Sequence, residues 1–150
     1  MQSAREKWAY TVKRVNSVVF VVDLVSYDYA AEADSATTEA TVMSKSLAEF
    51  KSIGGEWWTE GAATVLYLTN KHGLEQKLAS SPLSNWFPDY TDRNNHDTAA
   101  AYIAWQFQQL SLLRPSYALV REPTSMHDLR QALAIGRNAM VQRTCDSDQR

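Results

Sequence analysis

The hydrophobic positions of the chain fall into three short apolar runs, which lie at residues 15–25, 64–69 and 117–120. The first two runs are rich in β-branched residues and the third is a weaker run, and each predicts a β-strand. Residues 18–22 show no polar alternation, which is typical of a strand covered on both faces in a parallel sheet. We therefore expect the first strand to lie in the centre of its sheet.

Between the strands, apolar residues recur at the spacing of an amphipathic helix. This spacing predicts a helix at residues 39–53, which Gly54 and Gly55 would stop, and another at residues 97–112. A further helix is predicted to start at Ser125, and residues 3–13 predict a short leading helix. The segments at 29–38 and 80–95 are polar or contain proline, so we expect two long loops there.

The alternation of strands and helices predicts the fold class. Strands that alternate with helical segments are typical of an open sheet covered by helices. We expect an α/β fold with about three mainly parallel strands flanked by helices.

The composition excludes several classes of function. The 150 residues include 15 basic and 17 acidic side chains, and a net charge of -2 disfavours nucleic acid as a partner. One cysteine and three histidines form no zinc-finger or H-E-x-x-H pattern, so we expect no metal site. The five glycines have the spacing of neither the P-loop nor the dinucleotide-binding motif. No signal peptide or membrane span is evident, which favours a cytoplasmic location.

Taken one by one, the residues that could carry chemistry also fit structural roles. Asp23 and residues 70–73 follow the first two strands, where α/β proteins place functional groups. Asp23 equally fits a capping or ion-pairing role, and residues 70–73 fit a simple turn. Trp57 and Trp58 fit either an anchor for a partner protein or a cover for the core.

Several strings of the sequence, taken together, resemble one family. Residues 5–8 (REKW), 15–22 (VNSVVFVV) and 65–68 (VLYL) are similar to heterotrimeric G protein α subunits. The string at 81–90 (SPLSNWFPDY) is the most specific, and it looks like the fungal members of that family. The resemblance implies that residues 1–143 are the C-terminal half of a Ras-like domain of the P-loop GTPase type. We expect the polar residues 144–150 to form a frayed tail.

The resemblance also implies which parts of the family's machinery this sequence lacks. In the family, the P-loop, the first switch and the D-x-x-G motif precede the point where this sequence begins. Met1 falls where the family has its catalytic glutamine. We therefore expect a truncated, degenerate member with no catalytic residue and no metal ligand. The family uses GTP, GDP and Mg²⁺, but we expect none of them to be a cofactor of this chain alone.

The positions with which the family reads guanine are altered. Its N-K-x-D motif corresponds here to four positions: Thr69, Asn70, Lys71 and His72. A one-residue slip aligns it with residues 70–73 instead, and the base-reading aspartate is missing in either register. The family's T-x-A-T loop aligns with residues 121–124, where Pro123, beside Thr124, has no N–H to donate to the base.

The same resemblance implies a surface for partner proteins at five positions: Arg5, Lys7, Trp8, Trp57 and Trp58. The partner would be a G protein βγ dimer or an effector, which would bring the chain to the inner face of the plasma membrane. Coupling to a receptor is doubtful, because the charged end at residues 146–150 is unlike the family's apolar tail. A first strand without its family neighbour would also expose a hydrophobic edge, which favours self-association.

Three interpretations of function remain open at this point, and with them the question of whether the chain is an enzyme. The first is a G protein α-like protein that neither binds nor hydrolyses GTP on its own and has an interaction or vestigial role. The second is a signalling GTPase whose N-terminal half is missing from this chain. The third is a mis-predicted gene with no stable product.

Overall fold

The computed structural model describes most of the chain: residues 15, 17–31, 41–56, 59, 62–92, 95–110, 116–120, 130, 131 and 134. Its elements follow one another in this order: strand β1 (Ser17–Asp23), a first 3-10 turn (Leu24–Asp28), helix α1 (Val42–Gly54), strand β2 (Ala63–Thr69), helix α2 (Lys71–Leu78), a second 3-10 turn (Leu83–Asn85), helix α3 (His96–Leu110) and strand β3 (Ser116–Val120). The α/β class is confirmed.

The strands form one three-stranded parallel sheet in the order β1-β2-β3. The register runs from Ser17 opposite Ala63 to Asp23 opposite Thr69 between the first two strands. The expectation that β1 is the central strand is wrong for the described part of the chain, because β2 takes that place. All but the last residue of β2 is buried, whereas Val21 of β1 is 60% exposed. An unbroken apolar run is common to both strands, so the pattern alone does not rank them.

The first strand ends two residues earlier than the apolar run predicts. Asp23 Oδ1 accepts a hydrogen bond from Val25 N at 3.1 Å, and Ser26 Oγ donates to Asp23 O at 2.7 Å. These short-range bonds compete with strand pairing and turn the chain into the first 3-10 turn. Asp23 therefore has the structural, capping role that the sequence left open.

Two of the predicted helices form close to their expected positions. Helix α1 starts three residues later than predicted, because Thr41 Oγ1 accepts a hydrogen bond from Ser44 N at 3.1 Å and caps it. Helix α3 occupies His96–Leu110, and Asn95 Oδ1 caps it by accepting from Asp97 N at 2.9 Å. The predicted helices at 3–13 and from Ser125 lie outside the described residues, apart from helical residues 130, 131 and 134.

Helix α2 was not predicted, because residues 70–73, which include its first three residues, fit a turn. Its buried apolar residues are only Leu74 and Leu78, and Gly73 is a poor helix former in its first turn. The helix is stabilised by tertiary packing, because both leucines are almost fully buried in the core. The second 3-10 turn lies within the predicted loop and buries Leu83.

An aromatic triad joins the sheet to two helices at the centre of the core. Phe20 of β1 lies 5.1 Å from Phe50 of α1 and 6.0 Å from Phe107 of α3, measured between ring centroids. Phe50 and Phe107 are 5.4 Å apart in an edge-to-face arrangement. Helices α1 and α3 therefore pack on the same face of the sheet. No helix among the described residues is long and apolar enough to cross a membrane.

Candidate functional site

The candidate site lies at the carboxyl edge of the sheet, just after β2. Thr69, the last residue of β2, donates from Oγ1 to the carbonyl oxygen of Val22 on β1 at 3.2 Å. Asn70 follows directly, and α2 begins at Lys71. The four positions that the sequence aligned with N-K-x-D thus span the end of a strand and the first turn of a helix, where α/β folds bind ligands.

The backbone of this turn depends on Asn70 and Gly73. Asn70 has φ 63° and ψ 42°, in the left-handed region that asparagine tolerates better than most residues. A Cβ atom on Gly73 would lie 2.3 Å from Asn70 Oδ1 and 3.0 Å from Val25 Cγ1. The Asn70 side chain therefore occupies the space that any side chain at position 73 would need.

Lys71 is directed towards helix α3. Its Nζ lies 2.5 Å from Asp97 Oδ1, in the first turn of α3. The hydrogen bond and charge of Lys71 lower the pKa of Asp97 below its ordinary value. Asp97 is also well placed for the dipole of its own helix, since a carboxylate in the first turn is stabilising. Asp97 therefore stabilises the first turn of α3.

The side chain of His72 points along the outer surface of α2 and is 72% exposed. Its Nδ1 lies 3.5 Å from Glu75 Oε2, and its Nε2 lies 3.0 Å from Gln76 Nε2. Glu75 Oε1 is also 3.9 Å from His96 Nδ1 on α3. Together with Lys71 and Asp97, these residues form a charge cluster that joins the first turns of α2 and α3; we define it as Lys71, His72, Glu75, His96 and Asp97.

The charge cluster does not form a metal centre. Over the described stretches of the chain, no three His, Cys, Asp or Glu side chains are arranged to hold a metal ion. The distances of 3.5 to 3.9 Å between the histidine nitrogens and the carboxylate oxygens of the cluster are longer than those of close hydrogen bonds. Its chemistry is therefore that of surface electrostatic contacts.

Comparison with known sequences identifies the family. The profile of the family described as "G-protein alpha subunit" matches residues 1–138. The chain belongs to the G-protein alpha subunit family. It is 36% identical over 110 residues to the guanine nucleotide-binding protein alpha-16 subunit of Caenorhabditis elegans. It is 34% identical over 110 residues to the guanine nucleotide-binding protein alpha-3 subunit of Neurospora crassa. In both cases the aligned segment covers 73% of this chain and 30% of the relative.

In this G-protein alpha chain, the residues that the resemblance aligns with the base-reading motif include no acidic side chain. The resemblance requires a carboxylate that accepts two hydrogen bonds from the base, and residues 69–73 contain none. Lys71 is paired with Asp97, and His72 faces Glu75 at the surface. Two other carboxylates at this edge, those of Asp23 and Asp97, are held by a capping bond and an ion pair.

The remaining predicted positions of the G-protein alpha chain lie outside the described residues. They are Pro123 and Thr124 of the second base-reading loop, and Arg5, Lys7, Trp8, Trp57 and Trp58 of the partner surface. These assignments stay predictions.

Sequence reasoning missed a second cluster, at the other end of α2, which we call the lysine anchor: Tyr27, Asp28, Tyr29 and Lys77. Lys77 Nζ donates to the carbonyl oxygen of Val25 at 2.8 Å and pairs with Asp28. It also lies 3.7 Å from the centroid of the Tyr29 ring, within cation–π range. Lys77 is about fifty positions from its partners in the chain, so only the fold brings them together.

Tyr27 extends the lysine anchor to the start of the segment 81–90. It is fully buried, and its hydroxyl donates to the carbonyl oxygen of Ser81. Burial raises the pKa of Tyr27 above its ordinary value. Tyr27 and Asp28 follow shortly after the string at 15–22 that resembles the family, and this was the one signal in the sequence for the anchor.

Proposed function

We propose that this chain acts in G protein signalling through contacts with other proteins, and that it neither binds nor hydrolyses GTP on its own. The observation that supports this most is the state of the segment after β2. It offers no carboxylate to guanine, and His72, at the aligned acid position, is 72% exposed and lies beside Glu75. Neither GTP, GDP nor Mg²⁺ is therefore proposed as a cofactor of this chain alone.

The missing acid has a large expected effect on nucleotide affinity. Removing a charged hydrogen-bonding partner from a polar site costs about 1.5 to 3 kcal/mol. This corresponds to a loss of about one to two powers of ten in affinity. Pro123 would remove a further N–H donor if the second loop reads the base as the resemblance implies.

The proposed partners are a G protein βγ dimer or an effector, bound by Arg5, Lys7, Trp8, Trp57 and Trp58. Family membership supports this class of partner, and paired tryptophans are favoured at protein interfaces. The proposed location is the cytoplasm, with recruitment to the inner face of the plasma membrane through the partner. Receptor coupling and nucleic-acid binding are not part of the proposal.

Self-association through β1 is a further proposed contact. Within the described residues, β1 pairs only with β2, and Val21 is its most exposed apolar side chain. An exposed apolar strand at the edge of a sheet favours pairing with a second copy. We expect Val21→Lys to raise the monomer fraction measured by size-exclusion chromatography with light scattering. Val19 is a poorer site for this test, because it packs against Val65 and Tyr67. A wild-type chain that stays monomeric at high concentration would remove this contact from the proposal.

The alternative is a GTP-binding signalling GTPase, in which an N-terminal half supplies the phosphate and Mg²⁺ contacts. The alignment with the two relatives favours this alternative. The matched segment covers 30% of each relative, so the other 70% of each relative lies outside it. Both relatives are described as guanine nucleotide-binding. This alternative requires the base to be held without the family's aspartate.

Titration of the purified chain with a fluorescent GTP analogue distinguishes the two functions. We expect no saturable signal at micromolar concentrations, with a full-length G-protein alpha subunit as the positive control. Binding that GDP displaces and ATP does not would exclude the proposed function and favour the GTPase.

A pull-down with purified βγ dimer tests the partner surface. We expect Trp57→Ala/Trp58→Ala to reduce retention of the chain. The matched control is Trp86→Ala, which removes an exposed tryptophan outside the predicted surface. Equal retention of both variants would contradict the assignment of Trp57 and Trp58.

A further inference from the structure

We infer that side-chain contacts within the first turn of α2 and between it and α3 lock this turn, so that restoring the family's aspartate at either aligned position does not create a guanine-reading group. Two contacts form this lock: the packing of Asn70 on Gly73, and the ion pair of Lys71 with Asp97. The inference deepens the proposed function and rests on it for the assignment of residues 69–73 to the base-reading motif.

The first contact closes position 73. The 2.3 Å between Asn70 Oδ1 and a Cβ at position 73 is shorter than real Cβ contacts, so one of the two side chains must be absent or displaced. Asn70 Cγ would also lie only 2.9 Å from that Cβ, so turning the terminal amide group alone does not make room. In the slipped register an aspartate at 73 would therefore displace Asn70, which is itself the asparagine of the motif.

The second contact holds the first turn of α2 against α3. Lys71 Nζ lies 2.5 Å from Asp97 Oδ1, and Glu75 on the next turn lies 3.9 Å from His96. Both contacts join the same two helices, so a movement of the turn that opened position 73 would also break these contacts.

Position 72 lies on the exposed surface of α2. His72 is mostly exposed, and its neighbours are Glu75 and Gln76 on the same helix. An aspartate there would lie next to Glu75 at i,i+3, where like charges are destabilising. In the ungapped register the restored acid would therefore point into solvent.

A double-mutant cycle between positions 70 and 73 tests the lock in the full chain. Gly73→Ala is expected to lower the Tm by about 5 °C, because overpacking a tight site is destabilising. The matched control is Gly55→Ala, since a Cβ there meets its nearest neighbour, Ser52 O, at an ordinary 3.6 Å. This control should keep or slightly raise the Tm.

Asn70→Gly is the rescuing substitution, because it removes the obstructing side chain and suits the left-handed backbone. We expect Asn70→Gly/Gly73→Ala to recover at least half of the Tm lost by Gly73→Ala alone. If Gly73→Ala does not fold, folding of the double variant gives the same support. A Gly73→Ala chain as stable as the Gly55→Ala chain, or a double variant no better than Gly73→Ala, would overturn the inference.

A nucleotide titration completes the test. We expect His72→Asp to bind GDP no better than His72→Asn at micromolar concentrations. Binding of GDP by His72→Asp alone would overturn the inference, because position 72 would then reach the base. Binding of GDP by the wild-type chain would instead overturn the proposed function. The stability cycle would still test the packing of Asn70 on Gly73, because it does not depend on nucleotide binding.

Discussion

Helix α2 carries a lysine–aspartate ion pair near each end, and the two pairs differ mainly in burial. Lys77 and Asp28, at the C-terminal end, have side chains that are 19% and 15% exposed. Lys71 and Asp97, at the N-terminal end, are 37% and 64% exposed. Water and salt screen an exposed pair, whereas loss of one member of a buried pair leaves an uncompensated charge. The pair at the C-terminal end is therefore expected to contribute more to the stability of the fold than the pair at the N-terminal end.

The buried pair is also the better connected of the two. Lys77 adds a hydrogen bond to Val25 and a contact with the Tyr29 ring to its ion pair. These contacts join the C-terminal end of α2 to the first 3-10 turn and to Tyr29, which follow β1. We conclude that the lysine anchor holds α2 in place, and that the Lys71–Asp97 pair orients only its first turn.

The largest expected effect is that of Lys77→Met. This change leaves Asp28 mostly buried without its partner, and we expect a loss of about 3 kcal/mol in the free energy of unfolding. The measurement is urea denaturation, with Lys71→Met as the control at the exposed end. Adding Asp28→Asn to Lys77→Met should restore part of the loss. Equal effects of the two lysine variants would contradict the contrast between the ends.

Tyr27→Phe is expected to have an intermediate effect. It removes the hydroxyl that donates to Ser81 O, and we expect a loss of about 1 kcal/mol at neutral pH. The pKa of Tyr27 is raised in the folded chain, so its contribution is present below the ordinary pKa of 10.0 and is lost as the pH rises through the folded value. The difference between wild type and Tyr27→Phe should therefore shrink in alkaline solution. A difference that stays constant there would contradict this assignment.

Asp97→Asn is expected to have the smallest effect, because the pair at the N-terminal end is exposed. The pKa of Asp97 is lowered in the folded chain, so its contribution is present above the ordinary pKa of 3.8 and is lost as the pH falls through the folded value. Added salt should also reduce the difference between Asp97→Asn and wild type. Urea midpoints at low and high salt give the measurement, and a difference unaffected by salt would show that the pair is less exposed than the structure indicates.

The position of the candidate site in the chain could be predicted from the sequence, but its side-chain contacts could not. The end of the second apolar run and the aligned N-K-x-D motif placed the site at residues 69–73, and the structure puts that segment at the sheet edge. The contacts of Lys71 with Asp97 and of Lys77 with Asp28 could not be predicted. Each joins residues far apart in the chain, and charged residues at the surface have many potential partners of opposite sign.

The family resemblance was strongest in a segment that serves packing. Within residues 81–90, Leu83 and Tyr90 are buried, and Phe87 packs edge to face on Tyr102 of α3 at 5.7 Å. The hydroxyl of Tyr90 lies 2.9 Å from Thr98 Oγ1 in the first turn of the same helix. In this string, the residues named here pack against the core and α3, and none of them is assigned a catalytic role.

The sequence by itself determined the three strands, helices α1 and α3, and the absence of an acid at residues 69–73. These follow from local properties, namely the period of apolar residues, the caps and the residue types at aligned positions. Only the tertiary structure decided that β2 is central within the described residues, that α2 forms, and that Asn70 fills the space beside Gly73. Strand order, a short helix with two buried leucines and the room around one Cβ all depend on neighbours distant in the chain, because burial and packing are properties of the assembled core.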